Sequence, residues 1–106
     1  MRKPQGQRIR RLATELTPGQ LGELLAIAQT CHATGKPTML MVLHAQTETT
    51  GHLIRRKMVT WSRPPAEWGT GFRASAPTSL GLSVLLSRVE SDLTRSGAIS
   101  KEAARG

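Results

Sequence analysis

Apolar and polar residues recur along this chain with two different periods, and the switches between them predict its elements. Ile9, Leu12, Ala13 and Leu16 follow the i, i+3, i+4, i+7 spacing of one helix face. Pro4 and Gly6 discourage regular structure ahead of it, which predicts a flexible basic arm over residues 1–7. Thr17-Pro18-Gly19-Gln20 reads as N-cap, N1, N2 and N3 of a second helix, with Gln20 completing a capping box. Leu16 and Leu21 flank that cap as a hydrophobic staple. The helix is predicted to run to about Ala33, with Leu21, Leu24, Leu25 and Ala28 facing the core. Gly35 and Pro37 then stop it.

The period then changes. Thr38 to Thr47 is predicted as a strand, apolar on both faces from Met39 to Leu43. Glu48-Thr49-Thr50-Gly51 reads as a turn, and His52 to Trp61 as the antiparallel partner strand of a hairpin. Ser62 to Pro77 reads as a loop rich in Pro, Gly and Ser. A last helix is expected over about Thr78 to Ser96, with Leu82, Leu85, Leu86, Val89 and Leu93 as its core stripe. Gly97 would end it and Ile99 pack back on it. The predicted order is α-α-β-β-α, an α+β fold of helices on a small antiparallel hairpin. It forms one domain over residues 8–99, followed by a disordered tail at 100–106. Two strands alone are marginal, so either a further strand from 62–77 or a homodimer that joins sheets edge to edge is expected.

Composition adds compartment. Cys31 is the only cysteine of the 106 residues, so no internal disulfide forms, which suits a reducing, cytoplasmic setting. The first residues lack the apolar stretch of a secretory signal, and no run approaches a membrane span.

Charge changes the picture most. The net charge is +8, and it is concentrated. Residues 1–16 carry +4, from Arg2, Lys3, Arg8, Arg10 and Arg11 against Glu15. Residues 51–73 carry another +4, from Arg55, Arg56, Lys57, Arg63 and Arg73 against Glu67. Charge this concentrated calls for a polyanion or an acidic protein surface as partner. On the predicted strand Arg55 and Lys57 project together and Arg56 projects away. A two-stranded ribbon can enter a major groove or lie along phosphates.

Other constellations carry less. Trp61, Trp68 and Phe72 could stack on bases, but the chain has no Tyr and one Phe, so anchoring of the loop to the core is favoured. Gly69 to Ala74 matches G-x-G-x-x-G/A, yet it follows a Pro-rich loop and Pro77 separates it from the helix, unlike a dinucleotide site. Cys31, His32, His44 and His52 lack metal-ligand spacing, so no metal is expected. Seven scattered carboxylates offer no positioned acid–base pair, so neither catalytic residues nor a cofactor are expected.

The function expected from these residues is non-enzymatic nucleic-acid binding, with DNA favoured over RNA because aromatic residues are few. Arg55, Arg56 and Lys57 are the centre of the expected surface, and Arg8, Arg10, Arg11, Arg63 and Arg73 its flanks. The alternative is a small interaction or inhibitor protein, of the kind carried by phages and mobile elements. It would dock its basic face on an acidic protein or a nucleic-acid-processing complex, with Trp61 or Trp68 as hot spot.

Overall fold

The structure, a computed structural model, describes residues 3–96. They form four α-helices and one two-stranded antiparallel sheet. Met1 and Arg2 of the expected arm, the helix stop at Gly97 and Ile99, and the tail at 100–106 lie outside the described residues. Helix α1 spans Lys3–Glu15. Residues 3–7, expected to be irregular, are therefore its first turns: Pro4 is tolerated there because a first-turn N–H has no intrahelical acceptor. Leu12, Ala13 and Leu16 are buried, as their spacing predicts.

Helix α2, Pro18–Thr34, is set by its cap. The Thr17 hydroxyl accepts from the Gln20 amide at 3.1 Å, and the Gln20 side chain accepts from the Thr17 amide at 3.0 Å. Gly35 ends the helix in the left-handed conformation. Leu24 and Ile27 are fully buried, whereas Leu25, expected in the core, is exposed.

The middle of the chain departs from the predicted hairpin. Strand β1 covers only Thr38–Met41, and Val42–Gln46 coils into a 3-10 turn. Helix α3, Glu48–Arg55, replaces the predicted turn and the first half of the second strand. Its start is chemically specified. The Thr47 hydroxyl accepts from the Thr50 amide at 3.0 Å, and Glu48 places a negative charge in the first turn. Leu53 is completely buried, and its helix packs on α2 and on the 42–46 turn. Packing of this one face outweighs the strand propensity of the stretch.

The partner of β1 is strand β2, Phe72–Ser75, from the stretch expected to be a loop. The register pairs Thr38 with Ser75 and Met41 with Phe72. On its other side β2 bridges to the extended segment after α3, through Ser62 with Ala74 and Val59 with Pro77. The further strand allowed for within 62–77 is thus present, while the outer edge of β1 has no partner strand among the described residues.

Helix α4, Ser79–Ser96, closes the molecule and packs mainly on α1. Of the expected stripe Leu85 points into the core, joined by Val84, which the stripe did not include. The rest of the expected stripe does not: Leu82, Leu86, Val89 and Leu93 are 45%, 65%, 42% and 40% exposed. They form a separate apolar row at i, i+4, i+7, i+11, on a different side of the helix. No helix among the described residues is long and apolar enough to cross a membrane.

Candidate nucleic-acid interface

The three consecutive cations sit at the end of a helix, not on a strand. Arg55 is the last residue of α3, Arg56 its C-cap, and Lys57 follows in the left-handed region at φ 60°. The Lys57 amide donates to the Ile54 carbonyl at 3.0 Å and the Met58 amide to the Leu53 carbonyl at 2.9 Å. That pair of bonds is a Schellman motif, and Met58 and Leu53, both fully buried, supply its hydrophobic contact. The usual occupant of the left-handed position is glycine; a lysine there costs about 1 kcal/mol. Arg55, Arg56 and Lys57 no longer alternate across a ribbon. They fan around one tight turn, and all three are exposed.

The turn is clamped from below. Thr78 caps α4 by accepting from the Gly81 amide at 3.0 Å, and its hydroxyl also donates to the Lys57 carbonyl at 2.7 Å. The Thr78 amide donates to the Met58 carbonyl at 3.0 Å. Gly81 lies directly against Met58: a Cβ at this position would overlap the Met58 carbonyl. The backbone of the cationic turn is thus held by α4 while its side chains face outward.

Magnitudes decide what the cluster is for. The C-terminus of a helix carries about half a negative charge, which favours nearby cations. Three full positive charges overshoot that complement several-fold. None of the three has a carboxylate of the described residues within ion-pair distance; the ion pair among those residues is Arg88 with Asp92 at 3.3 Å. The field of the cluster registers on His52, one turn back in α3. Its pKa is held below the ordinary 6.5 by burial first, then by Arg56 and Arg55, while Glu15 and Glu48 push it the other way.

The flanking cations fall into two groups. Arg63 and Arg73 meet Trp61 in a cleft of about 600 Å³ walled by Pro64, Pro65 and Thr70. Trp68 is half-buried on the 3-10 turn Ala66–Trp68 and does not line it. Arg8, Arg10 and Arg11 are exposed on α1. Arg8 and Arg11 share a flank, and Arg10 faces a groove against α4 together with Glu90 and Arg88. They belong to a different helix pair from Arg55–Lys57.

One cation that sequence reasoning passed over is structural. Arg88 is a part-buried arginine whose Nη1 donates to the carbonyls of Ala13 at 2.9 Å and Leu16 at 2.8 Å, closing the C-terminus of α1. Its i, i+4 spacing to Asp92 is the signal that marks it as engaged. The Gly69–Ala74 motif runs from a turn into strand β2, so it opens no helix and lacks phosphate-loop geometry. Cys31 approaches the Thr38 hydroxyl and the Ser75 carbonyl, both at 3.6 Å, and His32 is exposed at the end of α2. The Nδ1 of His44 and the Nε2 of His52 are buried with no hydrogen-bond partner among the described residues.

The chain matches no protein family, no curated protein and no solved structure.

Proposed function

We propose that this protein is a non-enzymatic nucleic-acid-binding module, with DNA favoured over RNA, that holds phosphates on the turn that ends α3. The observation that carries this reading is the uncompensated triad Arg55, Arg56 and Lys57 on a backbone fixed by Thr78 and Gly81. A rigid turn presents its guanidiniums with little ordering cost, and Arg is suited to bidentate phosphate contacts. Arg63 and Arg73 extend the surface, and Arg8 and Arg11 add a second, separate basic flank. The predicted cationic hairpin is no part of this proposal, since α3 stands in its place.

The test is fluorescence anisotropy with DNA and RNA from about 50 to 300 mM salt. Three phosphate contacts give a log–log slope near −3 on duplex DNA. Arg55→Glu with Lys57→Glu should abolish binding while the far-UV spectrum stays that of the parent and the melting temperature falls by only several degrees. Unchanged affinity in that variant overturns the assignment.

A second reading is favoured by the exposed row Leu82, Leu86, Val89 and Leu93. Its heptad-like spacing suits a helix–helix contact, either in a homodimer or with a protein partner. Helix α4 is also neutral in sequence, with Arg88 and Arg95 against Glu90 and Asp92, so the +8 excess does not oppose contact there. This row replaces Trp61 and Trp68 as the hot spot of the interaction-protein alternative. No nucleic-acid binding at low salt would hand the function to it.

A further inference from the structure

We infer that the cleft of Trp61, Arg63 and Arg73 takes an unpaired base of a single-stranded nucleic acid, with the adjoining phosphate on the two guanidiniums. This rests on the nucleic-acid reading and narrows it. The cleft, of about 600 Å³, falls in the size range of small-ligand sites. Its lining holds two cations and no carboxylate, so its ligand is anionic. It also holds an indole, which a bare anion does not need. A ligand with a flat aromatic part and a negative charge meets both conditions, and a nucleotide of a single strand has both.

The groups are positioned in advance. Trp61 packs partly against the core and lines the cleft with the rest of its surface. The next residue is locked: Ser62 and Ala74 exchange amide-to-carbonyl bonds of 3.0 Å, and the Ser62 hydroxyl donates to the Ala74 carbonyl at 3.2 Å. Arg73 is steered by its own strand. Its Nη1 donates to the Phe72 carbonyl at 2.8 Å and the Thr70 carbonyl at 3.2 Å, which leaves Nε and Nη2 for a ligand. Pro64 and Pro65 stiffen the opposite wall.

Continuity with the cationic turn selects a polymer over a free nucleotide. Trp61 follows Lys57 by four residues, so the two backbones are at most about 14 Å apart. A strand a few nucleotides long reaches both. In a duplex the bases are stacked and paired, and the cleft has nothing to receive.

The experiment uses the full chain with Trp68→Phe, which leaves Trp61 as the only indole. Its fluorescence is titrated at about 50 mM salt with a ten-residue oligothymidylate, a duplex of equal length and inorganic polyphosphate. The single strand should quench Trp61 and the other two should not. Trp61→Leu should weaken single-strand binding about tenfold, as loss of one stacked base does, and leave duplex binding unchanged. Arg63→Ala, at an exposed position where folding is not at stake, should weaken the single strand by several-fold more than the duplex. Equal quenching by polyphosphate, or equal losses on both DNA forms, overturns the base site while leaving phosphate binding in place. Absence of binding to either DNA form overturns the cleft assignment and the proposed function together.

Discussion

Arginine stands at the C-termini of both α1 and α3, and the two ends have opposite characters. At the C-terminus of α1 the arginine comes from elsewhere. Arg88 reaches across from α4, satisfies the carbonyls of Ala13 and Leu16, and carries its own counter-charge in Asp92. At the C-terminus of α3 the carbonyls of Leu53 and Ile54 are already satisfied by backbone amides. Arg55, Arg56 and Lys57 therefore have no capping to do, and no acid among the described residues pairs with them. A helix end closed by a side chain consumes its cation; a helix end closed by its own backbone leaves its cations available. In the sequence the two cases differ only in the carboxylate four residues after Arg88, which Arg55, Arg56 and Lys57 lack at that spacing.

The comparison is broken hardest by removing Arg88. Arg88→Met keeps the apolar stem of the side chain but deletes the two charge-assisted bonds to the Ala13 and Leu16 carbonyls. Each such bond contributes about 1.5 kcal/mol or more. A loss of about 3 kcal/mol in a urea titration is expected, with DNA affinity of the folded fraction unchanged. The charge reversal at Arg55 and Lys57 should do the converse, abolishing binding at a stability cost of about 1 kcal/mol from the carboxylates placed at a helix C-terminus. A stability loss as large at the α3 turn as at Arg88 would show that both ends are structural.

A smaller and sharper change is Lys57→Gly. Glycine takes the left-handed conformation without steric cost, so the folded state gains about 1 kcal/mol, reduced by the greater freedom of glycine in the unfolded chain. One phosphate contact is lost as well, which should flatten the salt slope by about one unit. Stability and affinity then move in opposite directions at one residue, as expected of strain kept at a working site. A variant that is both less stable and unaltered in salt slope would assign Lys57 to the fold alone.

What was legible in the sequence follows from how locally each element is specified. Helix α2 was readable from Thr17 to Gly35 because its capping box and its stop are short-range chemistry. The apolar run from Thr38 marks the start of strand β1 but not its end at Met41. Its length depends on β2, which is four residues and lies more than thirty positions away. Helix α3 was missed because Leu53, Ile54, Met58 and Val59 sit among β-formers, and the decisive term is the burial of Leu53 against α2. The N-cap Thr47 with Thr50 three residues on was the local signal that opposed the strand reading. For the candidate site, the identity of the cations was visible and their shared presentation was not. Arg55, Arg56 and Lys57 change from opposite faces of a strand to one turn once α3 forms. Arg63 and Arg73 meet Trp61 only because β2 folds back beside Ser62. The apolar spacing of α4 specifies a helix, but period alone does not say that its apolar residues divide between a buried side and an exposed row.

The smallest expected effect reads the same contrast through a proton. His52 faces the cationic turn, and its pKa lies below 6.5 through burial, then Arg56, then Arg55, against Glu15 and Glu48. A lowered folded-state pKa means the unfolded chain takes up the proton first as pH falls. Its contribution to stability is therefore present above pH 6.5 and is lost as the pH drops from there through the folded-state value. Phosphates bound at Arg55 and Arg56 cancel the second and third causes and leave the first. The His52 pKa should rise on addition of DNA without regaining the ordinary value, and by linkage DNA should bind somewhat more tightly below pH 6.5. Arg56→Gln should raise the pKa in the free protein and shrink the further rise that DNA produces. Arg88→Met, which alters the other helix end, should do neither. An NMR titration of the His52 ring protons in these three forms, with and without DNA, makes the measurement. A His52 pKa that ignores DNA while the protein remains bound would place the phosphates away from the α3 turn, and the basic flank of α1 would then be the surface to mutate.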